Sequence, residues 1–293
     1  MMSKYMQYEW MTSIMTTAKT IVITGANTGI GLATAETFIK DGHHVIIACR
    51  NPDKARTAQQ HLQSFGTGQV DVIALDLNSL EQINSAADEI IAKYEKIDVL
   101  VNNAGMMTPD LEATADGFEK QFGVNYLGPF LWTMKLLPLV KKADQGRVIN
   151  LASMMHILGS IKPESFKADH IQKYSGVISY GNSKLANLLF SNALATQLQG
   201  SNVTSNALHP GGVDSEIYRE LPKWQYAIIK LGLIPPSKPA ELIKKIAFDP
   251  SWAKRNGDYV SLQTPAFKSG KAKNQKLAQQ LYDQSLDLVK NYL

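Results

Sequence analysis

The chain has 293 residues, of which 44% are apolar and 19% charged, and its formal net charge is +4. This size and composition suit one large α/β domain with an extensive core, and the small, dispersed positive charge argues against a nucleic-acid-binding protein. The single cysteine, Cys49, excludes an internal disulfide and favours a cytoplasmic location, and the six histidines lack metal-ligand spacing, so no metal is expected.

The first 18 residues lack the basic start and long apolar core of a secretion signal. No window of the sequence reaches the ~20 apolar residues of a membrane-spanning helix. We expect residues 1–18 to be a flexible N-terminal extension and residues 19–293 to form the folded domain.

A glycine-rich turn follows the first predicted strand. The β-branched run Thr20–Thr24 leads into Gly25-Ala26-Asn27-Thr28-Gly29-Ile30-Gly31, and a helical pattern then runs to Asp41-Gly42. A strand, a glycine turn and a helix start form the phosphate-binding arrangement of doubly wound α/β folds. Because the spacing is G-x3-G-x-G rather than G-x-G-x-x-G, a glycine turn without a ligand is the alternative for this motif taken alone.

The second predicted strand, His44–Cys49, ends at Arg50. At this place an acidic residue binds the ribose hydroxyls of NAD, whereas an arginine nearby suits the 2′-phosphate of NADP. A guanidinium grips a phosphate with two parallel hydrogen bonds. We therefore predict NADP(H) over NAD(H), although Arg50 could also be a solvated charge, and the glycine loop itself holds no basic residue.

Tyr180 and Lys184 lie four residues apart in a predicted helix, so their side chains share one face. A free tyrosine has a pKa of about 10, too high for a base at neutral pH. A positive charge ~4 Å away, at an effective dielectric constant of ~20, contributes roughly 4 kcal/mol toward the phenolate. We expect Lys184 to lower the pKa of Tyr180 toward neutrality, where general acid–base catalysis is most efficient.

Polar or glycine-rich motifs also follow the later strands. These are Asp76 at the end of Val72–Leu77, Asn102-Asn103-Ala104-Gly105 after Val99–Val101, Ser153 at the end of Val148–Ser153, and His209-Pro210-Gly211-Gly212-Val213. Strands alternate with helices up to about residue 210, which predicts a doubly wound parallel sheet of the Rossmann type in a single domain. Ligands of such sheets bind at the carboxyl ends of the strands, where these motifs fall.

Taken in this order, the motifs resemble the short-chain dehydrogenase/reductase family from Thr20 to about Ile217. The segments Thr24–Gly31, Ala48–Pro52 and Ser183–Asn187 resemble its retinol dehydrogenase-like branch. The resemblance implies an NADP-dependent oxidoreductase that interconverts an alcohol with an aldehyde or ketone. Two alternatives are a catalytically inactive NADP-binding regulatory protein and a reductase of carbon–carbon double bonds.

The resemblance also implies the site residues. The catalytic tetrad would be Asn125, Ser153, Tyr180 and Lys184, with Asn125 holding a water that returns a proton from solvent. The expected cofactor contacts are Thr24, Gly25, Asn27, Thr28, Gly29, Ile30, Gly31, Arg50, Asp76, Leu77, Asn103, Ala104, Gly105, Tyr180, Lys184, Pro210, Gly211, Val213 and Ser215.

Two segments are expected on the substrate side. The apolar stretch of about 216–236 resembles the lid that this family places over its substrate, which favours an apolar substrate; a packed surface helix and shallow membrane contact are the alternatives. The polar stretch 160–178 is expected to form a flap near the substrate mouth. A homo-oligomer paired through the helix of Tyr180 is left open by the sequence.

Overall fold

The computed structural model describes residues 18–213, 233–262 and 266–293. Its parallel strands form one seven-stranded sheet in the order β3-β2-β1-β4-β5-β6-β7, so the predicted doubly wound α/β fold is confirmed. The strands are β1 (Thr20–Thr24), β2 (His44–Cys49), β3 (Gln69–Ala74), β4 (Val99–Asn102), β5 (Gly146–Leu151), β6 (Val203–His209) and β7 (Tyr259–Ser261).

Helices cover both faces of the sheet, so the central strands are buried along almost their whole length. Helices α1, α2 and α7 contribute to the apolar cluster on one face, and α3, α5, α6 and α8 to the cluster on the other. The helices are α1 (Gly29–Lys40), α2 (Pro52–Gln63), α3 (Leu80–Lys93), the single turn α4 (Lys120–Phe122), α5 (Gly128–Lys141), α6 (Gly176–Gln197), α7 (Ser237–Phe248) and α8 (Gln275–Val289).

Most element boundaries follow the local signals in the sequence. Helix α1 ends before Gly42, which adopts a left-handed φ of 79°, and α2 begins at Pro52, a residue favoured in the first turn of a helix. Towards the C-terminus, local sequence predicts a helix over Glu241–Phe248 and an edge strand at Asp258–Val260. In the structure the helix begins earlier, at Ser237, and the strand is displaced by one residue.

Two strands end before the polar residues that were predicted to terminate them. Strand β3 ends at Ala74, so Asp76 lies two residues beyond it, and β5 ends at Leu151, so Ser153 also lies in the following connection. Both side chains are therefore presented by loops at the carboxyl edge of the sheet, which is where an α/β sheet binds its ligands.

The order of the strands creates a crevice at that edge. Strand β1 lies between β2 and β4, so the chain first builds the sheet outward in one direction and then in the other. A crevice opens where this reversal occurs, between the connections that leave β1 and β4. The glycine turn after β1 and the Asn103-Ala104-Gly105 segment after β4 lie side by side there.

Helix α8 covers the helix that carries Tyr180 and Lys184. The ring of Tyr282 packs edge-on against Phe130 of α5 at 5.4 Å, and the hydroxyls of Tyr126 and Ser285 share a buried hydrogen bond of 2.6 Å. Helix α6 is buried from residue 183 to 195. Residues 183–195 of the helix considered above for pairing two copies are thus covered within one chain.

Several expectations concern residues that the structure does not describe. The predicted extension (1–18) and the predicted lid (about 216–236) lie almost wholly outside the described residues, and both stay predictions. Within 18–213, 233–262 and 266–293, no helix has the length and apolar character needed to cross a bilayer. Those same ranges hold no group of three or more His, Cys, Asp or Glu placed to hold a metal ion.

Removing the buried side chain of Leu281 should test how much α8 stabilises the fold. Leu281 is fully packed in the cluster around α5 and α6. We expect Leu281→Ala to lower the free energy of unfolding by about 2–5 kcal/mol, because it leaves a cavity in a close-packed region. Urea denaturation at 25 °C measures the change. The control is Leu293→Ala at an exposed position, and an equally small effect of both substitutions would contradict the packing described.

Candidate active site

The glycine turn after β1 is held by close backbone packing against the end of β4. Gly25 adopts a left-handed φ of 65°, and a Cβ on Gly31 would lie 2.4 Å from the Gly25 carbonyl oxygen. Thr24 Oγ1 accepts hydrogen bonds of 3.0 Å from the N–H groups of Asn103 and Ala104. The Asn103 amide donates to the carbonyls of Thr24 (2.8 Å) and Gly25 (3.2 Å), so it supports the turn itself.

The N-terminus of α1 opens onto this turn. Its N-cap, Thr28, makes no side-chain capping hydrogen bond, whereas Asn51, Ser79 and Ser175 cap the helices that follow them. The first N–H groups of a helix need partners and carry partial positive charge, which makes this end suited to a pyrophosphate. The partly exposed residues from Asn27 to Ile30 line the approach. These features fit a dinucleotide cofactor.

The adenosine end of such a cofactor would lie beside β2 and β3. Arg50 is exposed directly after β2, and the Asp76 carboxylate accepts a hydrogen bond of 3.0 Å from the backbone of Asn78, next to the buried Leu77. A cavity of about 500 Å³ lies between the glycine turn and α2, and Thr28 and Lys54 are among its lining residues. The structure thus brings a lysine to this region although the glycine loop has none.

Cys49 lies beneath the glycine turn and is not a reactive thiol there. It is buried, and burial raises the pKa of its thiol to about 11 while backbone N–H groups of Ala26 and Asn27 contact the sulfur. A thiol in this state is protonated at neutral pH and serves as a small core side chain.

Tyr180 and Lys184 are both buried on one face of α6, as their spacing predicted. The Lys184 Nζ lies 5.4 Å from the centroid of the Tyr180 ring and donates a hydrogen bond of 3.2 Å to the carbonyl of Leu151 at the end of β5. Burial lowers the pKa of Lys184 to about 8. The ammonium therefore sits in a poorly solvated position, where its charge acts strongly on neighbouring groups.

Asn125 lies in a π-helical turn, Gly123–Leu127, that precedes α5. Its amide nitrogen donates to the Met106 carbonyl (2.8 Å) and to Ser183 Oγ (3.1 Å), and its amide oxygen accepts from the Met106 N–H (2.7 Å). The side-chain amide is therefore fully engaged in holding the segment after β4. The residue four positions later is Pro129, which has no N–H, so the Asn125 carbonyl lacks its α-helical donor.

Gly105, just after β4, lies close to helix α6, which carries Lys184, and to the π-helical turn, which carries Asn125. A Cβ on this glycine would lie 3.4 Å from Lys184 Nζ and 3.5 Å from Asn125 Oδ1. The three predicted positions are consequently close together in the fold, although they lie far apart in sequence.

A close contact between Gly159 and Gly181 packs the turn that follows Ser153 against α6, next to Tyr180. Ser153 N-caps the 3-10 turn Met154–Leu158, and its Oγ accepts a hydrogen bond of 3.2 Å from the Met155 N–H. A Cβ on Gly159 would lie 2.4 Å from the carbonyl oxygen of Gly181, the residue after Tyr180. Only a residue without a side chain permits this approach. The sequence analysis missed both glycines; the signal for Gly181 was a glycine inside a helical pattern.

The connection after β6 completes the edge of the site. His209 is half-buried, and this burial, together with nearby His156 and Lys184, lowers its pKa to about 4, so it is neutral. Gly211 adopts a φ of 86°, which turns the chain after Pro210. Val213 is buried and pairs with Ile234. Ser215, a predicted cofactor contact, lies outside the described residues.

The polar stretch 160–178 packs on the segment before α5. The ring of Phe166 stacks on Phe122 at 4.2 Å, and Lys167 Nζ lies 3.7 Å from the centroid of Phe118. Its predicted role as a flap near the substrate stays a prediction.

The family is decided by comparison with known proteins, since a family model described as short chain dehydrogenase matches residues 19–226. The chain belongs to the short-chain dehydrogenase family. It is an NAD(P)-dependent oxidoreductase that acts on CH–OH groups, and its predicted likeness to the retinol dehydrogenases is confirmed.

Two retinol dehydrogenases are similar in sequence to nearly the whole length of this dehydrogenase. Retinol dehydrogenase 12 of Mus musculus is 38% identical over 285 residues, covering 95% of this chain and 88% of its own. Retinol dehydrogenase 11 of Homo sapiens is 36% identical, with 92% and 86% covered.

Solved structures agree with the fold of the dehydrogenase. An uncharacterized protein from Mycobacterium Paratuberculosis is 32% identical with a TM-score of 0.74, and 93% of each chain is covered. The complex of Pseudomonas aeruginosa RhlG with NADP has a TM-score of 0.69 at 24% identity, covering 83% of this chain and 94% of that one, and shows the fold alone.

A side chain at position 159 should disturb the placement of Ser153. In Gly159→Ala the new methyl group meets the Gly181 backbone, so the turn must move away from α6. We expect the kcat of the dehydrogenase to fall at least tenfold and its free energy of unfolding by about 1–3 kcal/mol. Steady-state kinetics and urea denaturation measure the two effects. The control is Gly270→Ala, whose methyl group meets open space; equal kinetics for the two variants would contradict the assigned contact.

Proposed function

We propose that this dehydrogenase interconverts an apolar alcohol and its aldehyde or ketone, with NADP(H) favoured over NAD(H). The observation that carries the proposal is the pair formed by Tyr180 and Lys184, buried on one face of α6 and anchored through Lys184 to the end of β5. Ser153 reaches the same region through the contact between Gly159 and Gly181. We assign the catalytic roles to Asn125, Ser153, Tyr180 and Lys184.

The reaction follows from where charge develops. The bound cofactor would accept or supply the hydride. During reduction the carbonyl oxygen of the substrate gains negative charge, and the hydroxyls of Ser153 and Tyr180 donate hydrogen bonds to it. Tyr180 then transfers its proton to that oxygen, and in oxidation it accepts the proton instead.

Lys184 and Asn125 support the proton transfer. At neutral pH Lys184 is mainly protonated, since its pKa is lowered only to about 8, and its positive charge favours the phenolate form of Tyr180. Because the Asn125 amide is already bonded to Met106 and Ser183, a water held by Asn125 would bond to its main-chain carbonyl. Such a water would return a proton from solvent to the site.

The preference for NADP(H) rests on the region beside β2. Arg50 is exposed at the strand end where an acidic residue would repel a 2′-phosphate. Lys54 lines the neighbouring cavity from the first turn of α2, whose N-terminus also favours an anion. The remaining predicted cofactor contacts lie in three segments: the glycine turn, the segment at the end of β4 and the turn after β6.

The character of the substrate follows from the surface beside the catalytic groups. Met154, Ile157 and Leu158 are exposed on the turn after Ser153, and Val177 and Ile178 are exposed at the start of α6, just before Tyr180. Exposed apolar side chains grouped beside reactive groups favour an apolar substrate. Relatives named retinol dehydrogenases are consistent with an alcohol. The cytoplasmic location and the oligomeric state stay predictions.

Tyr180→Phe tests the proton donor directly. We expect kcat to fall at least ~100-fold, because general acid–base catalysis contributes about 10²–10⁴-fold. The dissociation constant of NADPH should change less than about threefold. NADPH oxidation with a panel of aliphatic and aromatic aldehydes and ketones measures the first quantity, and fluorescence titration the second.

Tyr94→Phe is the control, because it removes a tyrosine hydroxyl that donates to Asp71, on another part of the sheet. Turnover of Tyr180→Phe within tenfold of the parent would contradict the assigned role. A parent enzyme that binds NADPH but turns over no member of the panel would favour the cofactor-binding regulatory protein instead.

Arg50→Glu tests the cofactor preference. A carboxylate here should repel the 2′-phosphate, so we expect the ratio of kcat/KM for NADPH to that for NADH to fall at least tenfold, since a hydrogen bond to a charged group contributes about 1.5–3 kcal/mol. Arg56→Glu, which changes an exposed arginine of α2, is the matched control. An unchanged ratio in Arg50→Glu would exclude Arg50 as a ligand of the 2′-phosphate.

A further inference from the structure

The 3-10 turn Met154–Leu158, which follows Ser153, has one fully buried side chain. Of its five residues, Met154, Ile157 and Leu158 are 43%, 44% and 50% exposed, whereas His156 is fully buried. Apolar side chains that face solvent contribute little to the stability of a turn, because they remove little apolar surface from water. The position of Ser153 therefore depends on what His156 contacts, in addition to the contact between Gly159 and Gly181.

Both ring nitrogens of His156 are hydrogen-bonded to backbone groups. Nδ1 lies 2.7 Å from the carbonyl oxygen of Ser153, and Nε2 lies 3.3 Å from the N–H of Ser269. A carbonyl only accepts and an amide N–H only donates, so these partners assign the hydrogen to Nδ1 and the lone pair to Nε2. One neutral tautomer satisfies both bonds, and burial lowers the pKa of His156, which keeps the ring neutral.

The segment at the far end of the ring, residues 266–274, is itself fastened to the body of the protein. Lys268 Nζ donates to Asn192 Oδ1 of α6 (3.0 Å) and to the Gly257 carbonyl (2.7 Å), and the Asn192 amide donates to the Ala272 carbonyl (2.8 Å). Lys271 Nζ donates to the carbonyl of Gly159, at the end of the same 3-10 turn (2.8 Å). His156 thus connects the serine to a firmly held segment 113 residues later.

An aromatic contact also restricts the orientation of the His156 imidazole. The ring of Tyr259 in β7 meets it at 5.5 Å and an interplanar angle of 81°. With hydrogen bonds at both nitrogens and an aromatic ring on its side, the imidazole has one available orientation.

We propose that His156 is a positioning residue for the reaction: its Nδ1–H fixes the peptide of Ser153, and its Nε2 ties that peptide to Ser269. The inference rests on the proposed function of Ser153. The carbonyl that His156 holds belongs to the same residue as the hydroxyl that would contact the substrate, so a displacement of this backbone segment also moves Oγ relative to Tyr180. Displacements of about 1 Å in such groups reduce turnover strongly.

Two substitutions test the two hydrogen bonds of the His156 ring independently. In His156→Asn the amide nitrogen takes the place of Nδ1, so the bond to Ser153 is kept and the bond to Ser269 is lost. In His156→Gln the longer amide reaches toward Ser269 and the bond to Ser153 is lost. We expect His156→Gln to lower kcat at least tenfold with the dissociation constant of NADPH changed less than twofold, and His156→Asn to keep kcat within threefold of the parent.

His170→Asn and His170→Gln are matched controls at an exposed histidine, and Ser153→Ala is measured in parallel. Undiminished turnover of Ser153→Ala would refute the proposed role of the serine. A strongly impaired Ser153→Ala together with kcat of His156→Gln within threefold of the parent would overturn only the role of His156. Equal losses of kcat and of stability in His156→Asn and His156→Gln would also overturn it, because they indicate packing alone.

The unmodified enzyme provides a second measurement that does not depend on the folding of a variant. In ¹⁵N-labelled protein, the His156 ring should appear as the neutral tautomer with a slowly exchanging proton on Nδ1. A proton on Nε2, or a ring proton that exchanges as fast as one fully exposed to solvent, would overturn the inference.

Discussion

The site depends on one buried hydrogen bond, from the ammonium of Lys184 to the carbonyl of Leu151. Removing a charge from water is unfavourable, and the pKa of Lys184 is lowered to about 8 for that reason. The bond joins helix α6 to the carboxyl end of β5, two residues before Ser153. The same interaction therefore fixes the position of Tyr180 relative to the carboxyl ends of the strands. It also places a poorly screened charge beside the tyrosine ring.

Other parts of the fold make this arrangement rigid. The glycine turn, the end of β4 and the π-helical turn converge near Gly105, where a Cβ would be in van der Waals contact with Lys184 and Asn125. Behind α6, helix α8 packs on the face away from the sheet and buries it within one chain. The catalytic helix is thus held between the sheet and α8, while its first turn and the turn after Ser153 expose apolar side chains toward the mouth of the site.

Much of the site could be predicted from local sequence. Periodicity identified the strands and α1, and Gly42 and Pro52 marked helix ends because their backbone preferences act over one or two residues. Motifs at strand ends predicted the shared edge, since parallel strands align their carboxyl ends. The spacing of Tyr180 and Lys184 predicted a common face. The strand ends at Asp76 and Ser153 were misplaced by two residues, because pairing with neighbouring strands, which a single segment does not encode, decides where a ladder stops.

The sequence by itself determined the order of elements, the glycine turn and the identity of the tyrosine–lysine pair, all of which depend on neighbours within about one helical turn. Only the tertiary structure decided that Gly159 meets Gly181, that His156 joins Ser153 to Ser269, that the Asn125 amide is engaged by Met106, and that α8 covers α6. These contacts join segments far apart along the chain, or depend on which way a side chain turns once the core has closed. Burial then lowered the pKa of Lys184 to about 8 and that of His209 to about 4, because desolvation exists only in the folded protein.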